Sequence, residues 1–382
     1  MKKKRDREGM VTAALDLGDS ESLATILSPD GDVVDSFSMS MSDDGYSSFA
    51  SKVPKDARIA FEATSMAYPV SRRLTALGYS DITVAHSKEL AWIVKSKKKN
   101  DRIDSLKIAR LHMAHMLPES HLLSREEQVK RDLLIQRVTL GKEIGKMKLK
   151  LIAYLKREDV YLSLPESSDS FSRERRQAIR SMRFGGDGDD DDGRDLVVGT
   201  MMDRLEFLER QCAPLEEKVR TIVRDSEDIR RLMSIKGVDF YLASLASSYV
   251  GDVNRFPDDD HLASFLGIVP ESWDSANVKR RGHMSKEGPS TARWAFSVMT
   301  DTVMRYNPRL KTYYLSVKKR KNSGSLAHVA TMRKLVRMID HMLRYKENWR
   351  WEDEASTAKK LANLDRGAEA KTTTTTTTTG GD

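Results

Sequence analysis

The chain has 382 residues, of which 32% are charged, with a net charge of +8 and a single cysteine; its mean hydropathy is -0.54 and its pI about 9.3. That length holds two or three domains, one cysteine excludes an intrachain disulfide and a cysteine-clustered zinc site, and no run reaches the roughly 18 apolar residues of a membrane span. The basic excess favours an anionic partner, nucleic acid being the commonest, and the charged start Met1 to Arg7 lacks the apolar core of a signal peptide, so a reducing cytoplasm is expected.

In chain order, Thr12 to Leu15 predicts a strand that ends at Asp16-Leu17-Gly18, and Glu21 to Leu27 a second. Pro29 to Asp32 is a turn sequence, and Val33 to Met39 returns as a third strand. A helix is expected over Ser42 to Lys52, then a short apolar strand from Ala57 to Phe61 that ends at Glu62. Tyr68 to Leu77 reads as a helix stopped by Gly78, and Ile82 to Ala85 as a strand. A helix from Ser87, a basic run Lys95 to Lys99 and a helix from Asp101 to about Met116 follow. Three strands followed by alternating helices and strands predict a mixed α/β sheet domain over 1–118.

Ser124 to Leu155 and Leu196 to Leu232 are helical in pattern and dense in Lys, Arg, Leu and Ile. They are expected to pair as an antiparallel or coiled-coil arm (119–232), with the acidic, glycine-rich stretch 185–195 as its linker or tip. Within that stretch Asp187, Asp189 and Asp191 imitate a calcium loop, but Asp192 stands at the required glycine and Val198 at the final ligand. A mostly helical unit is expected over 233–351, and 352–382, which ends in the threonine run Thr372 to Thr379, as a disordered tail.

Four carboxylates stand out by position. Asp16 and Glu62 end predicted strands, while Asp101 and Asp104 open a predicted helix three residues apart and so share a side of it. Strand ends and a helix start can converge on one edge of an α/β sheet. Carboxylates gathered there repel one another unless a cation sits among them, and hard oxygen ligands of this kind suit Mg²⁺ or Mn²⁺. Singly, Asp101 also reads as an N-cap and Asp104 as a first-turn acid that favours the helix dipole.

In the C-terminal unit, Ile235 to Val238 reads either as a hairpin that offers backbone N–H groups to phosphate or as a plain helix–helix turn with Gly237 as its cap. Phe265 to Pro270 leads into a segment of hydroxyls, cations and glycines with Ser272, Ser275, Lys279, Arg280, Arg281, Ser285, Lys286, Gly288 and Arg293. It suits phosphate contact and can present a serine nucleophile, and spacing alone does not choose among the three serines. A second basic stretch, Lys318 to Lys321, precedes a helix with Arg333, Lys334, Arg337 and Arg344, for which nucleic-acid contact is expected.

On these residues the chain resembles the insertion-sequence transposases with an N-terminal RuvC-like DEDD domain and a C-terminal serine-bearing domain, a family that includes bridge-RNA-guided recombinases. The resemblance runs from about Val11 to Arg344, through Ala14-Leu-Asp16, Phe61-Glu62, Asp101 with Asp104, Phe265 to Pro270, and Met284-Ser285-Lys286 with Gly288. It implies an RNase H/RuvC-like mixed sheet, a metal set of Asp16, Glu62, Asp101 and Asp104, and a nucleophile at Ser275, five residues after Pro270. It also implies a covalent phosphoserine intermediate, strand exchange between element ends and target DNA, a structured guide RNA, and a dimer or tetramer joined through the arms. Where the family has glycine after the serine, this chain has Ala276, and its hairpin reads Lys236-Gly-Val-Asp239 instead of Pro-Gly-Ile-Gly. A metal-only nuclease of the Holliday-junction-resolvase type and a non-catalytic nucleic-acid-binding protein are the alternatives.

Overall fold

The computed structural model describes residues 9–93, 101–184, 193–275, 278–285 and 287–372; the side chains at 92–93, 101–103, 270–275, 278–283 and 366–372 lie outside the description. The chain divides into two compact units, 1–124 and 125–382.

The first unit is built on a five-stranded sheet. Its strands are β1 (Thr12–Asp16), β2 (Glu21–Leu27), β3 (Val33–Ser40), β4 (Arg58–Glu62) and β5 (Ile82–Ala85), in the order β3-β2-β1-β4-β5. The first three form an antiparallel meander, and β4 and β5 join parallel to β1. β1 and β4 are buried along nearly their whole length because both sheet faces are covered. Alternate residues serve opposite faces. Leu15, Ile59 and Phe61 pack on one face with Tyr46 and Phe49 of α1 (Asp43–Lys52) and Val70 and Leu74 of α2 (Ala67–Ala76). Ala14 and Ala60 pack on the other with Leu90 of α3 (Ser87–Ile93) and Ile108 and Ala109 of α4 (Asp101–Met113). The mixed sheet with helices on both faces is the architecture expected from the sequence. Helix α1 starts where Ser42 accepts a hydrogen bond from the Gly45 N–H, with Asp43 and Asp44 in its first turn and Lys52 in its last.

The second unit opens with two long helices, α5 (Arg125–Arg157) and α7 (Arg194–Val223), with the short α6 (Arg173–Ser181) between them. α5 and α7 run antiparallel: Leu134 and Val138 share a core with Val219 and Val223, Leu140 lies with Leu208 and Cys212, and Met147 and Leu151 with Met202 and Leu205. Arg137 joins Glu216 at 2.6 Å, and Arg176 of α6 forms a two-pronged pair with Glu209 at 2.8 and 2.9 Å. The expected acidic linker lies, from 185 to 192, outside the described residues.

The base of this helix pair shares one large core with α8 (Glu227–Met233), α9 (Phe240–Val250), α10 (Asp259–Phe265), α11 (Ser290–Tyr306) and α13 (Gly324–Tyr345). α12 (Pro308–Lys321) packs against it through Leu310. Two differences from the sequence reading stand out. A two-stranded antiparallel ribbon, β6 (Pro270–Ser275) and β7 (Val278–Met284), lies within the unit expected to be mostly helical. The tail expected to be disordered from 352 instead continues as α14 (Glu354–Thr372), whose Leu364 is fully buried in the large core and whose Leu361 packs against it; residues 373–382 lie outside the description. Among the described residues no helix is long and apolar enough to cross a membrane.

Candidate active site

The carboxylates of the first unit are set by strand register. Leu15 pairs with Phe61 across the parallel β1–β4 ladder, so Asp16 and Glu62 are the next residues of neighbouring strands, at the same sheet edge. By alternation they share the face of Ala14 and Ala60, which α4 covers. The course of α4 over that face is pinned at two points. Near its start the Ser105 hydroxyl bonds the Thr25 hydroxyl at 2.7 Å, both fully buried, and Thr25 pairs with Ala14 of β1. Near its end Arg58, at the beginning of β4, donates to the His112 carbonyl at 3.0 Å. α4 therefore runs opposite to β1 and β4, and its first turn, with Asp101 and Asp104, stands at the edge where Asp16 and Glu62 end their strands.

Asp16, Glu62 and Asp104 are all half-buried. Asp104 is held by Lys107, one turn further along α4, at 3.5 Å. Among the described residues no three His, Cys, Asp or Glu side chains stand close enough to share one ion, and the side chain of Asp101 lies outside the description. The donor chemistry, carboxylate oxygens at a sheet edge, fits Mg²⁺ or Mn²⁺. Sequence reasoning missed Thr25 and Ser105, the pair that fixes the α4 start; their signal was a hydroxyl at an apolar position of each element.

In the second unit, the ribbon pairs Ser272 with Arg281, Trp273 with Arg280, Asp274 with Lys279, and Ser275 with Val278. Ser275 is thus the last residue of β6. Lys279, Arg280 and Arg281 are paired in register with residues of the serine-bearing strand, while their side chains lie outside the description, as does Lys286 altogether. Ser285 is half-buried, and its backbone N–H bonds the Val269 carbonyl at 2.9 Å.

The ribbon rises from a tight knot. Gly267 has φ +67°, and a Cβ there would meet the Gly288 nitrogen at 2.6 Å and the Arg293 guanidinium at 2.9 Å. Arg293 donates to the Gly288 carbonyl. Arg293, expected to contact nucleic acid, has structural work here: its guanidinium ties the foot of the ribbon to α11. The arginines of α13 are likewise engaged. Arg333 pairs with Asp260 at 2.5 Å, Arg337 with Asp259 at 2.8 Å and Arg344 with Asp340 at 2.8 Å. The first two pairs tie α13 to α10.

The stretch Ile235 to Val238 is a turn between α8 and α9. Gly237 has φ +87°, and a Cβ would lie 2.6 Å from the Thr302 methyl and 2.8 Å from the Tyr306 ring, so only glycine fits. The Lys360 ammonium of α14 donates to the carbonyls of Met233, Ile235 and Val238, the last two at 2.9 and 3.0 Å. Burial pushes Lys360 down to about 8.

Residues 13–158, which contain all four acidic positions, match a DEDD transposase family of the IS110 type. Residues 229–315, which contain the turn at Gly237 and the whole ribbon, match the transposase family IS116/IS110/IS902. The chain is 25% identical over 150 residues to the insertion element IS110 uncharacterized 43.6 kDa protein of Streptomyces coelicolor, covering 39% of this chain and 37% of that one. It is 29% identical over 92 residues to the transposase for insertion sequence element IS1111A of Coxiella burnetii, covering 24% of this chain and 25% of that one. The chain thus spans about a quarter to somewhat over a third of the length of these relatives.

Proposed function

We propose, from the matches of residues 13–158 and 229–315 to IS110-type transposase families, that the chain cuts and exchanges DNA strands at the ends and target of a mobile element. The observation that carries this reading is the shared sheet edge of Asp16, Glu62 and the start of α4, in a chain whose separate ribbon carries Ser275 at the end of β6.

In this reading the Ser275 hydroxyl attacks a DNA phosphorus. A bond from serine oxygen to phosphorus forms, the bond from phosphorus to one sugar oxygen breaks, and that sugar leaves as a hydroxyl. Attack by a sugar hydroxyl of the other duplex then releases the serine and seals the exchanged strand. Asp16, Glu62, Asp104 and Asp101 would hold Mg²⁺ or Mn²⁺, which when bound supplies charge stabilisation at a phosphate oxygen. Lys107, 3.5 Å from Asp104, offsets part of the negative charge of that edge. The cations opposite the serine strand at 279–281 draw in the phosphate backbone. A structured RNA selects the sites, and the chain works as a dimer or tetramer; these two points rest on the family resemblance.

Trapping a covalent protein–DNA adduct tests the reading. The chain is incubated with element-end DNA, its RNA and Mg²⁺, and then denatured. An adduct that disappears in Ser275→Ala is expected, and Asp16→Asn is expected to lower cleavage by about 100-fold or more, the range for loss of a charge-stabilising group. Cleavage at the normal rate by Ser275→Ala, blocked only by Asp16→Asn, would replace the serine reading with a metal-only nuclease; binding without cleavage or adduct would leave a nucleic-acid-binding protein.

A further inference from the structure

Where α11 ends and α12 begins, the second unit carries a surface built from residues outside the ribbon and the acidic edge. The Tyr306 ring is 53% exposed and lies against the Gly237 turn, which has no side chain to hold it off. Lys236 of that turn stands 5.8 Å from the ring centre and reaches Asp353 at 2.6 Å, two residues beyond Trp351. Trp351 is braced edge-on by the buried Trp349, with ring centres 5.2 Å apart at 69°. The guanidinium groups of Arg309 and Arg350 lie 5.6 and 6.0 Å from the centre of the Trp351 ring. Arg305, Arg309 and Arg350 are exposed. Of the neighbouring acids, Asp353 is paired by Lys236, and Glu352 accepts a hydrogen bond from Asn348 at 3.0 Å.

An exposed ring, Tyr306, beside the Lys236 ammonium and a half-buried ring, Trp351, beside two guanidinium groups suit a strand whose bases are unpaired. Every base offers a π-face, and stacking on an aromatic side chain is worth about 1–3 kcal/mol per base, while the cations follow the phosphates. A duplex hides those faces and would use the arginines alone. We propose that the Tyr306–Trp351 surface binds a single-stranded segment of DNA and holds it open during exchange. The inference rests on the transposase reading for its class of partner, not for its geometry.

Fluorescence anisotropy on the full chain, without Mg²⁺ so that nothing is cut, tests it with labelled oligo-dT, the matching duplex and oligo-U of equal length. The expected result is that Tyr306→Ala and Trp351→Leu each weaken oligo-dT about tenfold while duplex binding changes less than twofold, and that Tyr306→Phe, which keeps the ring, binds as the parent does. Arg309→Gln, which leaves the packing intact, is expected to weaken oligo-dT and lower its salt dependence; unchanged binding by Arg309→Gln counts against the proposal even if the ring variants fail to fold. Equal losses on duplex and single strand reduce the surface to a plain cationic patch, tighter binding of oligo-U than of oligo-dT overturns the assignment to DNA, and ring substitutions without effect on any oligonucleotide return the rings to a protein contact or to packing. Strand cleavage is assayed separately. Loss of ring-dependent binding with cleavage intact sinks this proposal alone, and ring-dependent binding without cleavage sinks only the catalytic reading.

Discussion

Lys360 and Gly237 act on one short turn from opposite directions. The turn between α8 and α9 requires a left-handed glycine pressed on Tyr306, and its carbonyls converge on an ammonium that arrives from α14. Substituting Gly237→Ala adds both the strained φ and a Cβ with no room, and is expected to cost about 1–3 kcal/mol in urea unfolding. Lys360 titrates in the folded chain near 8 and in the unfolded chain at the ordinary 10.5. The folded chain therefore loses this proton first, the unfolded chain binds more protons between those values, and this group makes stability rise as pH climbs through that window. A ¹³C titration of the lysine Cε signals checks it: one signal, absent in Lys360→Met, is expected to move with a midpoint near 8. None of this was legible from Lys236 to Asp239, where a phosphate-binding hairpin and a plain turn fitted equally well. The deciding partner stands over a hundred residues away, and local spacing carries no trace of it.

At the scale of elements, legibility followed burial pattern. β1 and β4 announced themselves as apolar runs ending in an acid because both faces of the sheet are covered, and α1 through the capping Ser42 and Asp43. The ribbon did not, since Pro270 to Met284 mixes proline, serine, aspartate, arginine and glycine, without the alternation that marks a half-buried strand. α14 was hidden by its composition. Thr357, Leu361 and Leu364 do recur at helical spacing, but they sit among alanines, lysines and acids ahead of the threonine run. Of the candidate site, the positions of Asp16 and Glu62 at strand ends could be read directly, and the placement of Asp104 depends on how α4 is docked. The Thr25–Ser105 bond is that docking contact. Thr25→Val leaves the buried Ser105 hydroxyl without this partner and is expected to cost about 1–3 kcal/mol, whereas the double change Thr25→Val with Ser105→Ala recovers much of the loss; a double-mutant cycle by thermal melting measures the coupling.

For the molecule as a whole, the hydrophobic residues fall into separate cores. Leu15, Ile59 and Phe61 belong to the sheet unit, while Leu134, Phe296 and Leu335 belong to the helical one. Calorimetry is therefore expected to depart from a single two-state transition. Phe61→Ala, a fully buried ring, is expected to lower one transition by the equivalent of about 3–5 kcal/mol and leave the other in place, and Phe296→Ala to do the reverse. One shared transition, moved equally by both, would show that the units unfold together.

The reach of Lys360 also gives the helical unit an order of assembly. A chain emerging from the ribosome folds its earlier parts first, and by the time α9 and α11 have been made, the carbonyls of Met233, Ile235 and Val238 still await their donor and Leu364 has not yet entered the core. The turn at Gly237, more than a hundred residues back, is finished only when α14 arrives. A chain cut before residue 354 lacks both the Lys360 donor and Leu364, and is expected to be digested by protease faster than the full chain.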